Sequence, residues 1–113
     1  MHEMSLAMNI VDIACQTANQ NGSEKIKSIE IEVGALAGVM EDSLEFCFQA
    51  ARMKTIAEQA TLDITSIPGT GHCHTCDQTF ETDSFFTLCP FCSGFAVDII
   101  EGKELKIKYI NVD

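Results

Sequence analysis

The chain has 113 residues, 46% of them hydrophobic, and seventeen acidic against seven basic side chains give it a formal net charge of −10. That length supplies one domain's worth of core, and that apolar content excludes a disordered chain. The acidic balance argues against nucleic acid as a partner, and apolar runs too short for a membrane span or a signal-peptide core point to the cytoplasm, where six cysteines stay reduced.

Met4, Ala7, Met8, Val11, Ala14, Cys15 and Ala18 recur at helical spacing opposite a polar stripe of Ser5, Asn9, Asp12, Gln16 and Asn19. They predict an amphipathic helix that ends near Asn21-Gly22, residues that tolerate the left-handed backbone of a helix stop. On this reading Met4, Met8 and Cys15 pack inward. From Ile26 to Val33 the period changes to two, with Ile29, Ile31 and Val33 apolar, which predicts a strand with one buried face. After a Gly- and Ala-rich connection, Asp42 with Glu45 three residues on resembles a capping box. It would open a second helix whose apolar face is Leu44, Cys47, Phe48 and Ala51, with Arg52 on the polar side. Thr61 to Ile67 alternates again and is stopped by Pro68, and Gly69-Thr70-Gly71 suggests a hinge.

Cys73-His-Thr-Cys76, twelve residues, then Cys89-Pro-Phe-Cys92 form two Cys-x-x-Cys knuckles, a ligand set for one tetrahedral ion. In each, two sulfurs point at one ion while backbone N–H groups of the turn bond to them. Gly94 and Pro90 suit such a turn. Two disulfides are the alternative, which a reducing compartment disfavours. Phe80, Phe85, Phe86, Phe91 and Phe95 supply aromatic surface to cover the site and are read as packing rather than as a binding platform. His72 and His74 flank the first knuckle, open to ligand, pH-sensing or solvent roles. No Lys or Arg lies between Lys54 and Lys103, so the segment is acidic, which again disfavours a nucleic-acid-binding ribbon.

Leu105, Ile107 and Tyr109 alternate with Lys106 and Lys108 in a last strand whose lysines would complement Glu30 and Glu32, placing it beside the first strand. The predicted class is α+β: two helices packed on one face of a three-stranded sheet, with an inserted zinc-ribbon-like module. Residues 1–68 and 102–113 would form one domain and 69–101 the metal module. A coordinatively full thiolate site, with no nucleophile and base pair elsewhere, argues against an enzyme.

At the other end of the chain, the terminal amine of Met1, the backbone nitrogen of His2 and its Nδ1 can close adjacent five- and six-membered rings on one ion. The Glu3 backbone nitrogen or another side chain would be a fourth donor. Planar nitrogen coordination suits Ni(II) or Cu(II). His2 is too large for methionine aminopeptidase, so Met1 is expected to stay. Taken alone, a terminal histidine more often does nothing.

Met1-His2-Glu3-Met4-Ser5-Leu6, Glu32-Val33-Gly34-Ala35-Leu36, Ser43-Leu44-Glu45-Phe46-Cys47-Phe48 and the paired knuckles together resemble the HypA/HybF family of nickel metallochaperones in [NiFe] hydrogenase maturation. The resemblance spans essentially the whole chain. It implies structural Zn(II) at Cys73, Cys76, Cys89 and Cys92, and Ni(II) as transported ion at Met1, His2 and Glu3. It also implies a nickel-pathway GTPase of the HypB type and the hydrogenase large subunit as partners, with urease served by some members and a homodimer left open. An iron-tetrathiolate electron carrier and a zinc-ribbon interaction module are the remaining alternatives.

Overall fold

The computed structural model describes residues 3–113. In chain order it contains α1 (Glu3–Gln20), β1 (Ile26–Gly34), α2 (Glu41–Ala51), β2 (Thr61–Ile67), β3 (Gly69–Cys73), β4 (Thr79–Thr82), β5 (Val97–Glu101) and β6 (Leu105–Val112). The α+β class read from the sequence is observed, with a second sheet added. The strands form two three-stranded sheets, ordered β2-β1-β6 and β4-β3-β5. Two compact units result: the stretch ending at Ile31 with Val39–Thr65 and Lys106–Asp113, and Glu32–Gly38 with Ser66–Leu105. No helix among the described residues is long and apolar enough to cross a membrane.

In the first unit the helical periodicity does what it predicts. Ala7, Ile10, Val11, Ala14 and Ala18 form the buried arc of α1, which packs against α2. Leu44 and Phe48 of α2 and Ile26, Ile29 and Ile31 of β1 complete a core of almost wholly inaccessible side chains. Met8 and Cys15 lie roughly a quarter turn round from the centre of that arc, so Met8 is exposed and Cys15 half-buried. Met4, in the first helical turn, is exposed too, and Cys47 is half-buried. These four therefore border the core rather than fill it.

The second helix begins differently from its predicted capping box. Glu41 is its first residue, Met40 is the N-cap, and no side chain of the cap bonds back into the helix. The Met40 N–H instead donates to Oε2 of Glu3 at 3.3 Å, so the partner comes from a residue 37 positions earlier. Arg52, expected on the polar side, folds back: its guanidinium lies 5.9 Å from the Phe48 ring centroid and donates to the Ala60 carbonyl at 2.6 Å. Strands β1 and β6 are neighbours, as the charge alternation suggested. Asn111 Nδ2 donates to Ser28 Oγ at 2.7 Å and to Glu30 Oε2 at 2.8 Å.

In the second unit, Gly69-Thr70-Gly71 is strand β3 rather than a hinge. β3 is the centre of its sheet, pairing antiparallel with β4 and β5. A Cβ on Gly69 would lie 2.5 Å from the Thr82 carbonyl oxygen, and one on Gly71 would press at 3.0 Å on both Phe80 and Val97. These glycines admit close neighbours, which is the other reason glycine occurs in strands. At the unit's base, Gly34 N–H donates to the Glu104 carbonyl and Leu36 N–H to that of Gly102, whose own φ of +87° only glycine adopts freely.

Candidate metal centre

The four cysteines arrive from two stretches folded alike. In the first knuckle, Cys73 N–H donates to the Gln78 carbonyl and Asp77 N–H returns a bond to the Cys73 carbonyl, at 2.9 and 2.8 Å. In the second, Cys89 N–H donates to the Gly94 carbonyl and Ser93 N–H to the Cys89 carbonyl, both at 2.8 Å. The residue after each second cysteine turns the chain through left-handed backbone, with φ of 61° at Asp77 and at Ser93. The turn thus falls on Ser93, and the sequence's emphasis on Gly94 needs another reason. A Cβ on Gly94 would meet Cys92 Sγ at 3.2 Å, so glycine there lets the backbone close on a sulfur.

The sulfurs sit at the corners of a small polyhedron. All four lie within 4.8 Å of one another, with Cys73 Sγ to Cys92 Sγ at 3.6 Å and Cys76 Sγ to Cys89 Sγ at 3.5 Å. A tetrahedral ion with metal–sulfur bonds of about 2.3 Å requires edges of roughly 3.8 Å, so the donor set fits one metal with little adjustment. A disulfide needs about 2.05 Å, and all six cysteines are free. Among the described residues this is the one cluster of His, Cys, Asp and Glu with ligand geometry.

Cys73, Cys76 and Cys92 ionise unequally, as backbone amides, burial and neighbouring sulfurs pull against one another. The Cys76 amide, opposed by burial and aided by the Thr75 amide, pulls the Cys73 thiol down to about 6. Burial pushes Cys76 up to about 12, against the Gln78 amide and with the neighbouring sulfurs. For Cys92 the Gly94 amide lowers the value, but Cys73 and burial together leave it raised. Phe91 N–H donates to Cys89 Sγ at 3.4 Å. Each cysteine therefore faces the amide two residues on, yet the sulfurs cannot all become thiolates together without a cation among them.

His72 and His74 stand outside the ligand set. His72 Nε2 is 3.0 Å from Asp77 Oδ1, His74 Nε2 meets Asp98 Oδ2, and the rings pack edge to face at 5.1 Å. The phenylalanines depart from the packing role expected of them. Phe80 is half-buried over Gly71, but Phe86 is 96% exposed and Phe95 87%, with Phe85 and Phe91 also exposed. Strands of four or five residues, with glycines in the central strand alone, cover one aromatic ring and leave no room for five. Of the amino-terminal candidates, Met1 and His2 lie outside the described residues. Glu3 opens α1, its carboxylate engaged by Met40 N–H as described above.

A sequence model of the family described as hydrogenase/urease nickel incorporation, metallochaperone, hypA matches residues 1–112. The hydrogenase maturation factor HypA of Rhizobium leguminosarum bv. viciae is 43% identical over 112 residues, covering 99% of each chain. That of Chlorobaculum parvum is 42% identical over 113 residues, covering all of both. Among solved structures, the solution structure of the Ni metallochaperone HypA from Helicobacter pylori matches with a TM-score of 0.73 at 21% identity, covering 99% of this chain and 97% of that one. A second solution structure of HypA protein matches with a TM-score of 0.76, also at 21% identity, covering 99% and 96%. At that identity the structural likeness speaks for the fold alone.

Proposed function

The chain belongs to the HypA family, and on that premise we propose that it carries Ni(II) as cargo into the maturation of [NiFe] hydrogenase. It is a maturation factor rather than a catalyst. The observation that carries the reading is the family match across residues 1–112, which takes in both the Met-His-Glu start and the paired knuckles. In this proposal Met1, His2 and Glu3 hold nickel: the Met1 amine and the His2 backbone nitrogen and Nδ1 form fused chelate rings, and the Glu3 backbone nitrogen completes a plane. The engagement of the Glu3 carboxylate by Met40 N–H supports a backbone donor at that residue. Amine, amide and imidazole must all give up protons to bind, so acid favours release of the cargo.

Zinc at Cys73, Cys76, Cys89 and Cys92 is the resident ion of this reading and closes a four-coordinate site with no open position, which makes its role structural. Residues 69–101 then act as the zinc module and the remainder as the nickel domain. The proposed partners are a HypB-type GTPase and the hydrogenase large subunit, in the cytoplasm, with urease maturation and a homodimer as extensions of the same role. Nickel titration of three chains tests the core of this: the parent, His2→Ala, and a chain extended before Met1. Tight nickel binding is expected only in the parent, with zinc content and fold equal in all three. The extension keeps the imidazole and moves the free amine away, so undiminished affinity in the extended chain would remove the amine from the ligand set.

A further inference from the structure

β5 is an outer strand of the β4-β3-β5 sheet, hydrogen-bonded to β3 along one edge. Val97, Ile99 and Ile100 of that strand, with Phe85 and Phe86 from the preceding segment, line an open depression of about 760 Å³ in which Asp98 and Lys103 are the charged members. Phe86 is almost wholly exposed and Ile100 57% exposed. Single exposed apolar residues are ordinary on a surface. Several gathered along a free strand edge are not, because outer strands present unpaired backbone groups and are usually guarded.

Charge indicates what kind of chain the edge accepts. Residues 69–105 contain six acidic side chains and one base, Lys103, and four thiolates around a divalent ion add about two further negative charges. A second copy laid edge to edge would set Asp98 and Glu101 against the same pair of acids, an arrangement that like charges disfavour. A basic segment meets a complementary field.

We propose that the open edge of β5 takes up, as an added strand, an extended segment of a protein partner in which apolar residues alternate with lysine or arginine. Backbone bonds to the edge supply the register, and side chains of one face enter the depression between Phe86 and Ile100. Side chains of the other face place their positive charge among the acids, since successive residues of a strand point to opposite sides. The proposal stands independently of where nickel binds.

The test titrates the full-length, zinc-loaded, isotopically labelled chain with a short synthetic peptide of alternating lysine and valine, followed by amide chemical shifts. The same peptide with glutamate in place of lysine is the control. Saturable shifts confined to residues 84–86 and 97–103 are expected with the lysine peptide and none with the glutamate peptide. Phe86→Ser should weaken binding about tenfold or more, as loss of a central aromatic contact does. Glu101→Lys, which leaves the apolar residues in place, should weaken the lysine peptide and strengthen the glutamate one. Unshifted resonances elsewhere and full zinc content verify that each variant is folded. Equal response to the two peptides, shifts centred elsewhere, no saturable shift, or variants that bind like the parent each overturn the proposal. So does self-association of the free chain through β5, which would make a second copy the occupant.

Discussion

The two units of this chain are held together by different physics. Thirteen of the seventeen buried apolar residues belong to the first unit, and they are mostly isoleucine, leucine, valine, phenylalanine and alanine from three elements. The second unit buries four, two of which are the cysteines Cys73 and Cys89, while four of its five phenylalanines, all but Phe80, stand in solvent. Apolar burial at about 25 cal/mol per Å² can sustain the first unit. The second has too little of it, so on the proposed reading its folding free energy comes from a metal held by the four cysteines.

Removing a ligand should show this contrast at its largest. In Cys76→Ser, or after strong chelation, hydrogen-exchange protection is expected to vanish across residues 69–101 while α1, α2 and β1 keep theirs. Full protection of β3 in a metal-free chain would overturn the division of roles. Phe48→Ala probes the opposite side, because Phe48 is 1% exposed in the first core. It should cost about 3–5 kcal/mol there, measured by denaturant unfolding of α1 and α2, and leave the affinity of the cysteine cluster unchanged.

A third test concerns protons. At pH 7 the Cys76 and Cys92 thiols, raised in the folded knuckles and ordinary in an unfolded module, are protonated in the metal-free chain either way, whereas Cys73 at about 6 is largely thiolate only while its knuckle stays folded. Metal binding must therefore expel at least two protons, and affinity should fall about a hundredfold per pH unit on acidification near neutrality. Where the knuckle stays folded without metal, the depressed Cys73 contributes as thiolate at neutral pH and loses that contribution as pH falls through 6, steepening the slope to at least three; an unfolded knuckle returns Cys73 to the ordinary thiol value and gives the steeper slope already at neutral pH. Calorimetry in buffers of different ionisation enthalpy counts those protons, and release of fewer than two would contradict the unequal ionisation. The smallest effect is expected from Gly69→Ala. It drives a Cβ to 2.5 Å from the Thr82 carbonyl oxygen and should destabilise the zinc-loaded second unit by about 1–3 kcal/mol, measured by exchange at β3 and β4. A true hinge at Gly69 would tolerate alanine without loss.

The same contrast governs how much of the molecule was legible beforehand. α1, β1 and α2 each carry an apolar period, since each buries one face against a common core and that face must repeat at 3.6 or 2 residues, while β2 and β6 keep the alternation only in part: β2 buries Leu62 alone, and in β6 Tyr109, expected on the apolar face, is 61% exposed. β3, β4 and β5 carry none: β3 reads Gly-Thr-Gly-His-Cys, in which the buried positions are two glycines and a cysteine of the four-sulfur cluster. Hydrophobic pattern is silent where neighbours close over a missing side chain. The capping box at Asp42 failed for a related reason, because the partner of Met40 N–H is Glu3, far away in the sequence.

Spacing alone determined which four cysteines belong together, because two residues between paired sulfurs is a local requirement of the knuckle turn. Composition alone determined that the metal segment is acidic. Only the tertiary structure decided that two knuckles of like backbone geometry bring four sulfurs to tetrahedral edge lengths, that His72 and His74 are taken by Asp77 and Asp98 instead of joining them, and that Phe85 and Phe86 lie beside a free strand edge. Those outcomes depend on which distant residues meet across the sheet. Local periodicity records the burial of a face and carries no information about what that face, or its opposite, is set against.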